Sequence, residues 1–128
     1  MRPSGHDASM RILVVEDDEA SLDIARRVAE RMGHTVLMAR DGVQGLALAR
    51  SERPDLVFLD LHLPGLSGFQ VVRELRADEH LRALPVVAVS AGTLVDRENA
   101  LSAGCNDFVF KPYEFTRLRA AIDRQHLA

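Results

Sequence analysis

Four short apolar runs in this chain are each followed by a residue that could take part in chemistry. In chain order, these residues are the carboxylates Glu16, Asp17 and Asp18, the carboxylate Asp60, the hydroxyl of Ser90 and the ammonium of Lys111. One polar residue after an apolar run carries little information, because polarity normally resumes where a buried segment ends. Acids, a hydroxyl and a cation that follow four such runs together indicate one shared site.

The charge balance of this set indicates phosphate chemistry. Three or four carboxylates in one cleft repel one another and raise one another's pKa values. A hard divalent cation relieves that repulsion, and Mg²⁺ suits one or two carboxylates together with water and a phosphate oxygen. With Lys111 as a further cation, the set could neutralise the oxygens of a phosphoryl group while an aspartate acts as the nucleophile.

Lys111 is also unusual in composition, since it is the one lysine among sixteen lysine and arginine residues. Arginine carries a wide planar fork, whereas lysine carries a point charge on a slim stem. A strand end that places one positive charge against one small anion would favour lysine. Chance is the competing explanation for a single lysine.

Apolar runs alternate with amphipathic segments from residue 11 to about residue 125, which predicts five β-α units. The predicted strands are 12–15, 35–38, 56–59, 86–89 and 108–110. This alternation indicates an α/β fold, a doubly wound five-stranded parallel sheet with helices on both faces. Ligands of such sheets bind beyond the carboxyl ends of the strands, where the strand order reverses.

The helices between these strands are predicted from apolar periodicity and end signals. Their predicted buried faces are Ile24, Ala25, Val28, Ala29 and Met32; Val43, Leu46 and Ala47; Phe69, Val72 and Leu75; and Phe115, Leu118 and Ile122. Gly33 and Gly104 are predicted to end two helices, and Thr93 with Asp96 resembles a capping box. Asp18 is expected to cap the first helix rather than to bind a metal.

Length and charge limit the class of protein. The 128 residues suit one domain, and we expect a disordered extension over residues 1–9 and the domain over 10–128. The net charge of −3 argues against a nucleic-acid partner. No apolar stretch approaches the roughly 18 residues of a membrane span, and residues 1–9 lack the apolar segment of a secretory signal. Cys105 is alone, so we expect neither a disulfide framework nor a cysteine-based metal site. By default, we expect a cytoplasmic protein.

Four segments resemble the signature motifs of the response-regulator receiver family, in the family's order and spacing. They are Val14–Asp18, Asp60–Gly68, Val89–Ala91 and Lys111–Pro112. The resemblance covers nearly the whole chain and implies a flavodoxin-like (βα)5 fold with strand order 2-1-3-4-5. It also implies a cis peptide bond between Lys111 and Pro112.

The resemblance implies a role for each of these residues. Asp60 would accept a phosphoryl group, Ser90 would be the conformational-switch hydroxyl, and Lys111 would contact the phosphate. Mg²⁺ would be bound by Glu16, Asp17, Asp60 and the backbone carbonyl of His62, with Asp17 as a direct ligand.

Three further positions bear on switching and on the phosphoryl lifetime. Phe108 stands where the family has a tyrosine or phenylalanine coupled to the switch hydroxyl, and without a phenolic hydroxyl its coupling must rest on packing. Gly92 has no side chain and is expected to leave its side of the pocket open. His62 is either an exposed loop residue or a donor to the phosphoryl group or to a water. Our hypothesis is that it modulates hydrolysis of the aspartyl phosphate.

The function implied by the resemblance is a phosphorylation-dependent switch in a two-component system or phosphorelay. A sensor histidine kinase or a histidine phosphotransfer protein would be the donor, and self-catalysed phosphotransfer and autodephosphorylation would be the only chemistry. A downstream protein would bind the last two β-α units, around Asp96, Phe108, Arg117 and Arg119. We expect no nucleic-acid or membrane partner, and the sequence does not specify the oligomeric state.

Two other functions compete with this interpretation. A phosphatase of the haloacid-dehalogenase type also uses an aspartate, a lysine and Mg²⁺, but it needs a second acid two residues after the nucleophile, where this chain has His62. A degenerate receiver would bind partners without phosphorylation. Glu16 in place of the commoner aspartate slightly favours that reading, whereas the complete set of Asp17, Asp60, Ser90 and Lys111 argues against it.

Overall fold

The computed structural model describes residues 9–127, so the expected N-terminal extension lies outside the described residues apart from Ser9. Five strands alternate with five helices, as the sequence predicts. In chain order, they are β1 (Arg11–Val15), α1 (Glu19–Arg31), β2 (Thr35–Ala39), α2 (Gly42–Glu52), β3 (Leu56–Asp60), α3 (Gly68–Ala77), β4 (Val86–Ser90), α4 (Leu94–Ala103), β5 (Asp107–Phe110) and α5 (Phe115–Leu127). Each strand is the predicted run extended by one residue.

The five strands form one parallel sheet in the order β2-β1-β3-β4-β5, which confirms the expected fold class. The chain passes from β1 outward to β2 and then returns to the other side of β1 with β3. The strand order therefore reverses between β1 and β3, and the carboxyl ends of all five strands meet at one edge of the sheet.

Side chains of the strands alternate between two hydrophobic cores, one on each face of the sheet. Leu13, Val15 and Leu59 face the core that α2, α3 and α4 cover. Val14 and Phe58 face the core that α1 and α5 cover. Because β1, β3 and β4 are buried on both faces, their sequences are continuous apolar runs rather than alternating ones.

The buried face predicted for α2 is right at Leu46 but wrong at Val43 and Ala47. Val43 is 68% exposed and Ala47 is also exposed, whereas Gly42, Gly45, Leu46 and Ala49 are buried. A Cβ atom on Gly45 would lie 2.8 Å from the side chain of Val15. The helix thus approaches β1 through its small residues, and a search for large apolar residues finds Leu46 but overlooks the two glycines.

Two further large residues are misassigned. Ile24 in α1 is 43% exposed, and the buried stripe of that helix is formed by Leu22, Ala25, Val28 and Ala29. Position 24 lies more than half a turn from position 22, so a helix that buries Leu22 turns Ile24 toward solvent. Phe115 begins α5 and is 45% exposed. The predicted core positions in α3 and the remaining ones in α5 pack inward.

Most of the predicted helix ends are confirmed. Asp18 caps α1 by accepting a hydrogen bond from the backbone of Ser21, and Gly33 and Gly104 have φ angles of +91° and +117° at the ends of α1 and α4. The peptide bond between Lys111 and Pro112 is cis, as expected. Within residues 9–127, no helix has the length and apolar character needed to cross a membrane.

Thr93 caps α4 by accepting from the backbone N–H of Val95. The predicted capping box with Asp96 is wrong, because the Asp96 carboxylate bonds to the side chains of Ser90 and His62 instead.

Candidate functional site

The carboxylates, the hydroxyl and the ammonium group found at the strand ends lie together at the carboxyl edge of the sheet. Asp60 and Ser90 are the last residues of β3 and β4, and Glu16 and Lys111 follow β1 and β5 directly. Gly68 allows α3 to begin against the end of β3, because an added Cβ atom would overlap the backbone carbonyl of Asp60. Parallel register therefore converts four distant segments of sequence into one site.

Three carboxylates form a cluster that suits a hard cation. One oxygen from each of Glu16, Asp17 and Asp60 lies within 4.8 Å of the others. Glu16 and Asp60 are buried, with 0% and 4% exposure, whereas Asp17 is exposed. Mg²⁺ prefers carboxylate oxygens and retains several waters. The cluster fits that ion, since it supplies the oxygens and is open to solvent on the Asp17 side.

Lys111 places a partly buried positive charge against this cluster. Its Nζ lies 2.5 Å from Glu16 Oε1 and 3.3 Å from Asp60 Oδ2, and its side chain is 15% exposed. Burial alone would lower the pKa of Lys111, but the hydrogen bond to Glu16 and the charges of Asp60 and Glu16 raise it above its usual value. Lys111 is therefore a fixed cation at neutral pH.

The two buried carboxylates, Glu16 and Asp60, have pKa values that are shifted in opposite directions. Burial raises the pKa of Glu16 to about 7, and its hydrogen bond with Asp60 acts in the same direction. Burial would also raise the pKa of Asp60, but hydrogen bonds with Glu16 and the His62 backbone, together with Lys111, hold it below its usual value. Because the two pKa shifts are opposite in direction, a proton bound by this pair favours Glu16 over Asp60.

Tyr113 belongs to this site, although sequence reasoning missed it. Its hydroxyl donates a long hydrogen bond of 3.5 Å to Glu16 Oε1. Burial and the nearby charges of Glu16 and Asp60 raise its pKa, so the phenol stays protonated. Its position two residues after Lys111 was the available signal, because a residue that follows a strand end so closely remains near the edge of the sheet.

Ser90 is fully buried, and its hydroxyl forms two hydrogen bonds. Its Oγ accepts from the backbone N–H of Gly92 at 2.9 Å and donates to Asp96 Oδ2 at 3.3 Å. In the sheet, Asp60 is paired with Val89, and the backbone of Ser90 accepts from the N–H of Lys111. Ser90 thus lies between the strand ends that carry Asp60 and Lys111.

His62 meets the site through both its backbone and its ring. The backbone N–H donates to Asp60 Oδ1 at 3.0 Å, and Nε2 lies 3.0 Å from Asp96 Oδ2. A carboxylate only accepts hydrogen bonds, so Nε2 carries the proton in this contact. The ring is 57% exposed but tied to α4 through Asp96.

The expectation of open space beside Gly92 is wrong. A Cβ atom there would overlap the Asp96 carboxylate and lie 2.7 Å from its Cγ. Phe108 is buried in the core, and its ring meets Phe110 edge-on with centroids 4.7 Å apart. Phe108 therefore packs as a core residue, whereas Asp96 provides a polar connection from Ser90 to α4.

Comparisons with known proteins agree with this geometry. The profile of the response regulator receiver domain matches residues 12–123. The polar-differentiation response regulator DivK of Brucella anthropi is 36% identical over 107 residues, which cover 83% of this chain and 87% of the relative.

Solved structures give the same result. The receiver domain of the sensor histidine kinase PA1611 from Pseudomonas aeruginosa, which has a magnesium ion coordinated in its active-site cleft, superposes with a TM-score of 0.87 at 34% identity, covering 94% of this chain and all of that one. The chemotaxis protein CheY4 of Vibrio cholerae shares the fold, with a TM-score of 0.85 at 23% identity over 91% of this chain and 98% of that one.

Proposed function

Since the chain belongs to the response regulator receiver domain family, whose members are phosphorylation-dependent signalling switches, we propose that Asp60 is the residue on which this switch accepts its phosphoryl group. One observation carries the proposal: Asp60 is a buried carboxylate that has Lys111 Nζ at 3.3 Å and lies in a cluster with the acids Glu16 and Asp17. This arrangement supplies a nucleophile and a cation for the incoming phosphoryl group at the same place.

In the proposed reaction, a carboxylate oxygen of Asp60 attacks the phosphorus of a phosphohistidine. The new bond joins that oxygen to phosphorus while the phosphorus–nitrogen bond breaks, and its electron pair stays on the imidazole, which takes up a proton. Lys111 and Ser90 can donate hydrogen bonds to phosphoryl oxygens, and donors aimed at developing negative charge stabilise such a transition state. In autodephosphorylation, a water oxygen attacks the phosphorus of the aspartyl phosphate. The bond between phosphorus and the Asp60 oxygen breaks, its electron pair returns to the Asp60 carboxylate, and inorganic phosphate leaves while the water proton passes to solvent.

We propose Glu16, Asp17, Asp60 and the backbone carbonyl of His62 as the residues that would hold Mg²⁺. When bound, the ion supplies positive charge that offsets the carboxylates and the phosphoryl oxygens. The oxygen cluster supports this assignment, and so does the likeness to a receiver domain with a coordinated magnesium ion. Asp18 is excluded from the ligand set because its carboxylate caps α1.

The proposed donor is a sensor histidine kinase or a histidine phosphotransfer protein, with the switch acting in the cytoplasm, where such kinases obtain ATP. The proposed downstream partner is a protein that binds α4, β5 and α5. Leu94 and Val95 support this surface, because they are 66% and 61% exposed on α4, and Arg117 and Arg119 are exposed on α5. Phe108 is buried, so its contribution is limited to packing beneath the surface.

Incubation with acetyl phosphate and Mg²⁺, followed by intact-mass measurement, tests the proposal. We expect a labile gain of one phosphoryl group that Asp60→Asn abolishes. Multiple turnover of phosphate esters would instead indicate a phosphatase. A chain that gains no phosphoryl group would be a degenerate receiver, and either outcome contradicts the proposal.

A further inference from the structure

Asp96, in the first turn of α4, joins two parts of the site that lie far apart in the sequence. Its Oδ2 accepts from Ser90 Oγ at 3.3 Å, and the same oxygen lies 3.0 Å from His62 Nε2. The Asp96 side chain is 22% exposed, less than half the exposure of the His62 ring. One carboxylate on α4 therefore bonds to the end of β4 and to the loop after β3.

The sequence around Asp96 accommodates this arrangement. Thr93 caps α4 through Val95, so Asp96 has no capping duty. Gly92 leaves the space that the carboxylate fills, since a Cβ atom there would overlap it. The contact between Asp96 and Ser90 therefore depends on Gly92 and Asp96, and the capping of α4 by Thr93 does not involve it.

Ser90 has one hydroxyl proton to donate. The Oγ already accepts from Gly92, and the proton points to Asp96, so none is left for a phosphoryl oxygen on Asp60. The Asp96 carboxylate and a phosphoryl group would thus compete for the same proton. They also carry like charges, which repel each other across a partly buried site.

We propose that Asp96 is a positioning residue that holds Ser90 in the unphosphorylated protein, and that phosphorylation of Asp60 draws the Ser90 hydroxyl away and releases the first turn of α4. This inference rests on the proposed function. The hydrogen bond between Ser90 and Asp96 connects the site to the first turn of α4, where Leu94 and Val95 are exposed. Phe108 has no hydroxyl and cannot form such a hydrogen bond. In this account, the His62 contact helps to hold Asp96 in the resting position.

The first test compares the rates at which variants take up a phosphoryl group from acetyl phosphate at saturating Mg²⁺. Asp96→Ala frees Ser90, so we expect the maximal rate to rise about fivefold, the scale of one modest hydrogen bond, with an unchanged half-saturating acetyl phosphate concentration. Glu98→Ala removes an exposed acid from the same helix and should match the wild type.

The second test repeats Asp96→Ala in a Ser90→Ala background, where we expect no further change in rate, because the two residues act through one hydrogen bond. A rise that persists without Ser90 would assign Asp96 a merely structural effect and overturn the inference. An Asp96→Ala rate equal to that of the wild type would also overturn it. Failure of the wild type itself to gain a phosphoryl group would contradict the proposed function, which distinguishes the two failures.

Discussion

Lys111→Arg is expected to preserve the fold and the charge but to slow phosphorylation of Asp60 by about 100-fold, the scale on which loss of one transition-state donor slows an enzyme. The Lys111 side chain is 15% exposed, and its Nζ contacts Glu16 at 2.5 Å and Asp60 at 3.3 Å. A guanidinium is wider and planar, so it cannot occupy that position between two carboxylates and also follow a phosphoryl group. The rate of mass gain from acetyl phosphate measures the effect.

Lys111→Met is the matched variant, because it keeps a slim side chain and removes the charge. We expect the arginine variant to behave much more like the methionine variant than like the wild type. If the arginine variant is phosphorylated and switches at the wild-type rate, charge alone suffices. The single lysine among the sixteen cationic residues would then be an accident of composition.

Asp17→Ala is expected to abolish stabilisation of the fold by Mg²⁺. A ligand at 100 times its dissociation constant stabilises the folded state by about 2.7 kcal/mol, and the variant should lose this increment. Asp17 is exposed, so its removal should cost the metal-free protein little. Urea unfolding with and without Mg²⁺ gives both free energies of unfolding.

Asp18→Ala provides the control for that experiment. Asp18 caps α1 through the backbone N–H of Ser21, so its loss should lower the free energy of unfolding by about 1 kcal/mol while the Mg²⁺ response remains. Two adjacent aspartates thus have opposite expected effects. An Asp17→Ala variant that kept the full Mg²⁺ increment would show that the cation is not held by this cluster.

Much of the fold follows from the sequence because strands buried on both faces leave a clear signal. The runs at β1, β3 and β4 are continuous and apolar, and a residue of the functional site follows each run. Helix faces are harder to predict when small residues form the contact. α2 packs through Gly42, Gly45 and Ala49, and these residues carry little weight in an apolar periodicity.

The site residues identified from strand ends come together in the structure, whereas Tyr113 and the inward-facing role of Asp96 were missed. Tyr113 reaches Glu16 after the turn at Pro112, and Asp96 turns inward from α4. The spacing of Asp96 from Thr93 suggested a capping box, a local pattern that ignores distant partners. The three-dimensional structure is needed to show that the Asp96 carboxylate bonds to Ser90 and His62 and not to the backbone at the N-terminus of α4.

Trapping of the phosphorylated residue tests the central claim most directly. Borohydride reduces an acyl phosphate to an alcohol and thereby converts a phosphorylated aspartate into homoserine, which peptide mass spectrometry locates in the chain. After incubation with acetyl phosphate and Mg²⁺, we predict homoserine at position 60, and we predict none when Mg²⁺ is withheld. Homoserine at position 17, a reduced glutamate at position 16, or no conversion at all would contradict the assignment of Asp60 as the phosphoacceptor.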